Sequence, residues 1–223
     1  MQDQQAELEW RAGAVPVSLQ FDDPYFSLEN GLAETEHVFL AGNDLPARFQ
    51  DGFHVGELGF GTGLNFLATW AAWRACGAGG TLHFTSFEAF PMSPADMAAA
   101  LAAFPALSGL ATQLVNAMQK GVGVCTFEDV HLTLILGDAR QTVPSWGERA
   151  DAWYLDGFSP AKNPELWGRD LLQAVAAHTA QGGTAATYTA AGFVRRGLQD
   201  AGFHVTRAPG FGRKRHMTHA VLA

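Results

Sequence analysis

The fold of this chain is decided by the stretch Phe53-His-Val-Gly-Glu-Leu-Gly-Phe-Gly-Thr-Gly-Leu-Asn65. A short run with strand character enters this stretch, a helical pattern leaves it, and Gly59, Gly61 and Gly63 lie between them. Glycine adopts positive φ angles and lets a ligand approach the backbone without a Cβ in the way. A strand, a glycine turn and a helix start therefore predict the place where an α/β sheet holds a nucleotide-like ligand.

The spacing of these glycines indicates which ligand. A dinucleotide fingerprint has the spacing G-x-G-x-x-G, and its third glycine would fall at Leu64. The sequence instead has an acid, Glu57, followed by glycines at every second position from 59 to 63. This pattern resembles motif I of class I S-adenosyl-L-methionine-dependent methyltransferases, in which the glycine turn passes under the methionine and ribose portion of the cofactor. The alternative is a glycine-rich turn without a ligand, because a glycine motif alone is a weak signal.

Length and composition favour one domain with a proper core, since the chain has 223 residues and 48% of them are hydrophobic. No apolar run reaches the length of a membrane span, and the polar start of the chain, residues 1–7, lacks the features of a signal peptide. Cys76 and Cys125 are isolated, which fits a reducing compartment better than a disulfide scaffold. We therefore expect a cytoplasmic protein with no membrane partner.

The charges are unevenly distributed along a chain whose formal net charge is −8. Residues 195–223 contain six of the fourteen basic residues but only one of the twenty-two acidic ones, Asp200. One sign of charge gathered in one segment is typical of a surface that binds phosphates. The alternative is a solvated helix face followed by a basic turn, and charge alone favours this alternative.

Strand and helix patterns alternate from residue 53 onward. Strands are predicted at about 53–59, 81–87, 122–127, 130–136, 152–155, 183–188, 203–206 and 219–222, and helices at about 63–75, 94–103, 108–119, 165–179 and 190–201. We predict an α/β fold, a Rossmann-like, doubly wound and mostly parallel sheet, in residues 53–223. Residues 1–52, with short extended runs and a helix over 30–40, are expected to be an N-terminal elaboration packed on the same domain.

Acidic residues close successive predicted strands at Glu88, Asp138 and Asp156, and Glu57 lies near the end of the first strand. The carboxyl ends of parallel strands meet at one rim of the sheet, where ligands bind. Carboxylates accept hydrogen bonds there. We expect Glu88 to accept the ribose hydroxyls of S-adenosyl-L-methionine, Asp138 to face its adenine amino group, and Ala139 to offer a backbone N–H to the ring. Each acid has an alternative role as the N-cap of the following helix.

The segment Asp156-Gly-Phe-Ser-Pro-Ala-Lys-Asn-Pro-Glu-Leu-Trp167 is predicted to be an ordered loop, because Pro160 and Pro164 force the preceding residues into extended geometry. It resembles motif IV of amino-methyltransferases, in which an acid or amide, small residues, proline and an aromatic face the acceptor nitrogen. The resemblance implies that Asp156 accepts a hydrogen bond from the acceptor amine and that Phe158 packs against the acceptor.

Matching runs over nearly the whole chain resemble the methyltransferase half of the MnmC family of bifunctional tRNA-modifying enzymes. The runs are Asp23–Ser27, Gly31–Thr35, Val38–Leu40, Glu57–Phe66, Phe87–Pro91, Gly137–Asp138, Trp153–Pro164, Thr189–Leu198 and Gly210–Arg215. The resemblance implies methyl transfer from S-adenosyl-L-methionine to the amine of 5-aminomethyl(-2-thio)uridine at the wobble position, in the anticodon region of tRNA.

The resemblance also implies roles for individual residues. The cofactor would contact Glu57, Gly59, Gly61, Gly63, Asn65, Glu88, Asp138 and Ala139. The tRNA would contact Pro160, Lys162, Arg213, Lys214 and Arg215, with Arg195 and Arg196 as further phosphate candidates. Tyr25, Phe158 and Tyr188 are candidates for stacking on a base, although core packing is the commoner fate of aromatic residues.

The family also carries an FAD-dependent oxidoreductase domain, but this sequence stops at Ala223 without a second dinucleotide fingerprint. We therefore expect a stand-alone methyltransferase or a fragment, with the oxidoreductase fused or separate, and assign no FAD to these residues.

Other classes of protein fit the sequence less well. The run Gly157-Phe-Ser-Pro-Ala161 imitates the G-x-S-x-G elbow of an α/β-hydrolase, but Pro160 lacks the N–H that the oxyanion hole requires. His216 and His219 would lie on opposite faces of a strand, so we predict no metal site. A methyltransferase for another amine and a tRNA-binding module without catalysis remain as alternatives.

Overall fold

The computed structural model describes residues 5–11, 15–27 and 30–223, so the first four residues of the polar N-terminus lie outside the described residues. A small antiparallel sheet comes first, formed by β1 (Leu8–Arg11), β2 (Val15–Ser18) and β3 (Asp23–Pro24). The predicted helix over 30–40 is divided into α1 (Gly31–Thr35), which the Asn30 side chain caps, and a π-helical turn, Glu36–Leu40. The boundary of the predicted N-terminal elaboration at residue 52 stays a prediction.

The main sheet confirms the predicted α/β class. Its central strands run parallel in the order β7-β5-β4-β8-β9, while β6, β11 and β10 pair antiparallel at the edges. Its strands are β4 (His54–Leu58), β5 (Leu82–Glu88), β6 (Val124–Thr126), β7 (Val130–Leu136), β8 (Ala150–Leu155), β9 (Thr179–Thr187), β10 (Phe203–Pro209) and β11 (His216–Leu222). From β4 the chain adds β5 and β7 on one side, and later adds β8 and β9 on the other side. In such sheets a ligand crevice opens at the strand ends where this direction changes.

Helices follow the strands and cover both faces of the sheet. They are α2 (Leu64–Cys76), α3 (Pro94–Leu101), α4 (Ser108–Lys120), α5 (Ala139–Thr142), α6 (Arg169–Ala177) and α7 (Gly192–Asp200). Within the described residues, every helix is too short or too polar to cross a membrane. The predicted helix over 165–179 was too long: a 3₁₀ turn, Pro164–Trp167, precedes α6, and β9 already begins at Thr179.

The central strands are buried on both faces, as a parallel sheet requires. In β8, Tyr154 faces a cluster that contains Phe66 and Trp70, whereas Trp153 faces a second cluster around Leu172 and Val194. These side chains are almost completely buried. The carboxyl ends of β4, β5 and β8 are therefore held rigidly, and they position the side chains of the site described below.

A buried amide fastens the N-terminal region to the sheet. The Asn43 Nδ2 donates to the carbonyl oxygens of Phe39 at 2.9 Å and Trp153 at 3.4 Å. Its Oδ1 accepts from the Thr184 hydroxyl at 2.6 Å, and Arg48 donates to the same hydroxyl oxygen at 2.6 Å. Asn43 is fully buried, so its amide satisfies its own hydrogen-bonding groups through residues of the sheet and of the N-terminal region.

We expect Asn43→Ala to lower the free energy of unfolding by about 1–3 kcal/mol, because it leaves buried polar groups without partners. Urea denaturation followed by circular dichroism measures this loss. Asn116→Ala, on the exposed face of α4, is the matched control and should change the unfolding free energy by less than about 0.5 kcal/mol. Equal midpoints for the two variants would contradict the role of Asn43.

Candidate functional site

The glycine turn after β4 has the backbone geometry that its sequence predicts. Gly59, Gly61 and Gly63 have φ angles of +88°, +54° and +80°. A Cβ on Gly59 would lie 2.8 Å from the carbonyl oxygen of Asp156, so only glycine fits there. The turn that was predicted to hold a cofactor is therefore in direct contact with the loop that was predicted to hold the acceptor.

A cavity of about 500 Å³ opens at the carboxyl ends of the central strands. This volume is within the range of small-molecule sites. The predicted site residues that line the cavity are Gly59, Gly61, Asn65, Glu88, Ala139, Asp156, Phe158, Arg213 and Lys214. The other predicted site residues, which are all described by the structure, are not part of this lining: Glu57, Gly63, Asp138, Pro160, Lys162 and Arg215. The predicted cofactor and acceptor ends thus share one open space.

The Asn65 amide, at the start of α2, joins two carboxylates. Its Nδ2 donates to Glu57 Oε1 at 2.9 Å and to Asp156 Oδ2 at 2.6 Å, and its Oδ1 accepts from the Thr35 hydroxyl at 2.8 Å. The Ser86 hydroxyl donates to the other Glu57 oxygen at 2.7 Å. Glu57 is fully buried, so it lies beneath the cavity and reaches it only through Asn65.

Burial changes the acidity of both carboxyl groups. It raises the pKa of Glu57 well above its usual range, although hydrogen bonds from Ser86 and Asn65 act in the opposite direction. Burial also raises the pKa of Asp156 to about 7, with the Asn65 hydrogen bond again opposing it. The charge of Glu34 raises the pKa of Asp156 further. A carboxyl group that titrates near neutral pH inside a cleft is typical of a functional site.

Glu88, the last residue of β5, has its carboxylate fixed by backbone donors. The N–H groups of Gly61 and Phe90 donate to its two oxygens at 3.0 and 2.8 Å. A carboxylate oxygen has further lone pairs, so hydroxyl groups of a ligand in the cavity can still donate to Glu88.

Asp138 has the N-cap role that the sequence left as an alternative. It accepts from the backbone N–H of Arg140 at 2.9 Å at the start of α5. The Arg140 guanidinium also donates to both carboxylate oxygens, which lowers the pKa of Asp138. The neighbouring Gly137 and Ala139 line the cavity. A contact between Asp138 and an adenine amino group stays a prediction.

Residues of the N-terminal region cover the loop after β8, residues 156–164, which we call the acceptor loop after its predicted role. Phe158 stacks on Phe21 with ring centroids 4.8 Å apart and meets the edge of Tyr25 at 5.1 Å. Asp23 accepts from the backbone N–H of Ser159 at 2.8 Å. These aromatic rings line the cavity together with Asp156. The packing of an acceptor against Phe158 stays a prediction.

The predicted phosphate-binding residues differ in their surroundings. Lys162 is paired with Asp22 and Asp23, so its charge is already engaged within the protein. Residues 213–215 are exposed in the connection between β10 and β11, and two of them, Arg213 and Lys214, also line the cavity. Arg215 is exposed in this basic turn and does not line the cavity.

Two cavity residues from α1, Glu34 and Thr35, were not predicted from the sequence as site residues. Glu34 accepts from Lys214 Nζ at 2.7 Å, and Thr35 donates to Asn65. Both residues lie inside one of the runs that carried the family resemblance, but their local pattern indicates only a helix. Their position follows from contacts between distant parts of the chain.

A family model described as S-adenosyl-L-methionine-dependent methyltransferase matches residues 105–223. Two proteins called tRNA 5-methylaminomethyl-2-thiouridine biosynthesis bifunctional protein MnmC are similar to this chain. Those from Hahella chejuensis and Stutzerimonas stutzeri are each 48% identical, over 97% and 98% of this chain. The crystal structure of MNMC2 from Aquifex aeolicus superposes with a TM-score of 0.77 at 25% identity, covering 99% of this chain and 72% of that one. This chain spans 36% and 35% of the length of the two bifunctional relatives.

The raised pKa of Asp156 predicts how its contribution to stability depends on pH. Between the ordinary Asp pKa near 4 and the folded value of about 7, the folded state binds more protons than the unfolded state, so stability falls as pH rises. We expect Asp156→Asn, which cannot ionise, to gain stability relative to the unchanged protein from about pH 4.5 to about pH 7.5.

Urea denaturation across this pH range measures the difference. Asp129→Asn is the contrasting variant, because its hydrogen bond with Arg74 lowers the pKa of Asp129, and this variant should instead lose relative stability as pH rises from below the ordinary Asp value. A pH-independent difference for Asp156→Asn would contradict the raised pKa.

Proposed function

This chain belongs to the family of S-adenosyl-L-methionine-dependent methyltransferases, and from this premise we propose that it methylates tRNA. The acceptor is the primary amine of 5-aminomethyl(-2-thio)uridine at the wobble position in the anticodon region. The names of the two bifunctional relatives support this substrate. The observation that carries the proposal is the close approach of Gly59 to the carbonyl oxygen of Asp156, two residues that line one cavity. It supports a reaction between a cofactor over the glycine turn and an acceptor beside Asp156.

The residues around the glycine turn fit S-adenosyl-L-methionine. Gly59 and Gly61 leave the backbone open to a ligand, Glu88 presents a fixed carboxylate for ribose hydroxyls, and Ala139 supports one wall. Asn65 and Glu57 set the floor beneath them. When bound, S-adenosyl-L-methionine supplies an electrophilic methyl group on a positively charged sulfur.

Asp156 orients the acceptor amine. An alkyl ammonium has no free lone pair, so it must lose a proton before it can attack a methyl carbon. An amine with a pKa near 10 is more basic than Asp156 even at the raised pKa of about 7. Asp156 therefore accepts a hydrogen bond and offsets the charge that develops on nitrogen, while solvent takes the proton. Alignment of this kind can supply roughly 7–11 kcal/mol at best.

The basic turn of residues 213–215 supports contact with tRNA phosphates. It is exposed beside the mouth of the cavity, so phosphates bound there would hold an extruded base close to Asp156. Phe158, Tyr25 and Tyr188 line the same cavity and offer aromatic faces for stacking.

The wider organisation is proposed on the same grounds. Residues 1–52 act as an elaboration on a methyltransferase domain of residues 53–223, and the protein works in the cytoplasm, where tRNA is modified. The bifunctional relatives support a partnership with an FAD-dependent oxidoreductase, either fused or separate, because each is about three times as long as this chain.

Radiolabelled methyl transfer into undermodified tRNA tests the function, with Asp156→Ala as the informative variant. We expect turnover to fall by about 100- to 1000-fold, because the amine loses its orienting acceptor, while calorimetry shows S-adenosyl-L-methionine still binding. Asp170→Ala, an exposed acid on α6, is the control and should retain full turnover. Undiminished turnover in Asp156→Ala would remove this residue from the mechanism. Binding of tRNA without binding of the methyl donor would favour a non-catalytic module.

Salt dependence tests the phosphate contacts. Raising salt from about 50 to 200 mM should weaken tRNA binding at least about tenfold, because each neutralised phosphate releases counterions. Arg215→Gln should reduce the slope of log affinity against log salt by about 1. Fluorescence anisotropy with labelled tRNA measures both, and an affinity that is insensitive to salt would contradict the proposed contacts.

A further inference from the structure

The ammonium group of Lys214 lies in the lining of the cavity, where it is bound to a carboxylate from a distant part of the chain. Lys214 Nζ donates to Glu34 Oε1 at 2.7 Å. The Glu34 side chain is 14% exposed, whereas that of Lys214 is 46% exposed, so the carboxylate is fixed inside the wall and the lysine reaches in from the surface. Both residues line the cavity that contains Asp156.

An aromatic face completes the surroundings of this ammonium group. Lys214 Nζ lies 4.2 Å from the centroid of the Tyr188 ring. The Tyr188 hydroxyl donates to the carbonyl oxygen of Gly157 at 2.8 Å, which fixes the ring beside Asp156. A carboxylate on one side and an aromatic face on the other form a binding place for an alkyl ammonium.

This binding place lies within electrostatic range of Asp156, which lines the same cavity. The negative charge of Glu34 raises the pKa of Asp156, and the positive charge of Lys214 lowers it. An acceptor bearing an aminomethyl group would enter the cavity as an alkyl ammonium, the same chemical group as the end of the Lys214 side chain. The lysine therefore occupies a place that suits the incoming substrate.

The position of Lys214 in the chain gives it an alternative partner. It lies between Arg213 and Arg215 in the exposed turn, where a polyanion would be attracted. An ion pair that is partly exposed is weak, so a nearby phosphate can take the lysine away from Glu34.

We propose that Glu34 is a substrate-binding residue for the acceptor ammonium and that Lys214 is a latch that occupies this place until an RNA phosphate draws it away. This inference rests on the proposed function. It defines the substrate further as an amine on a nucleotide within an RNA chain. A free nucleoside with the same amine lacks the phosphates and must compete with Lys214 for Glu34. The latch therefore discriminates between RNA and free nucleosides.

Calorimetry with the nucleoside 5-aminomethyluridine tests the latch without methyl transfer. We expect Lys214→Met to bind the nucleoside about three- to tenfold more tightly than the unchanged protein, because the competing ammonium is gone. Lys120→Met, an exposed lysine at the end of α4 outside the cavity, should bind like the unchanged protein. Uridine, which lacks the amine, should bind both Lys214→Met and the unchanged protein equally.

The double variant Glu34→Gln with Lys214→Met identifies the partner of the amine. It should lose the gain in affinity, while Glu36→Gln with Lys214→Met, which changes an exposed acid nearby, should retain it. Thermal unfolding of each variant checks that it is folded. The proposal is overturned if Lys214→Met binds the nucleoside no more tightly than the unchanged protein, or if the Glu34 double variant keeps the gain.

Kinetics separate this inference from the proposed function. Lys214→Met should raise kcat/KM for the free nucleoside and lower it for undermodified tRNA. A protein that transfers no methyl group to tRNA would refute the proposed function, yet the nucleoside affinities would still decide whether Lys214 competes for Glu34. Transfer to tRNA with unchanged nucleoside kinetics in Lys214→Met would refute the latch alone.

Discussion

The Asn65 amide group is the interaction on which the site depends. It donates to Glu57 and Asp156, two carboxyl groups that would repel each other inside a cleft if both were ionised. The partners come from β4 and from the loop after β8, and Thr35 of α1 fixes the amide from the third side. One side chain at the start of α2 thus ties the first strand of the sheet, the acceptor loop and the N-terminal region together.

The glycine turn and this amide impose complementary constraints. Gly59 must lack a Cβ because the carbonyl oxygen of Asp156 occupies that space, and the same close approach brings the Asp156 side chain within reach of Asn65. A larger residue at 59 would push the loop away and break the amide bridge. The glycine motif therefore leaves the backbone without a Cβ on the cavity side, and it also sets the distance to the loop after β8.

The sequence predicted what depends on local pattern. The central strands, the two strands β6 and β7, the glycine turn and the acids at strand ends all follow from periodicity and turn chemistry. It could not predict the pairing of Glu34 with Lys214, because these residues are 180 positions apart and only the fold brings them together. The predicted helix over 165–179 was too long for a different reason. Its apolar pattern runs from the 3₁₀ turn before Gly168 to the buried start of β9, so the sequence shows no break at either end of α6.

Negative and positive charges are separated along the cavity. Glu34, Glu88 and Asp156 line the inside, while residues 213–215 carry positive charge at its rim. Partly buried carboxylates with few cations are costly in a protein without a ligand, and such costs are tolerated mainly at functional sites. A positively charged methyl donor and an amine would offset the acids inside, and phosphates would offset the basic rim. Under the proposed function, a cationic donor and an amine on a polyanion would together neutralise both regions of charge.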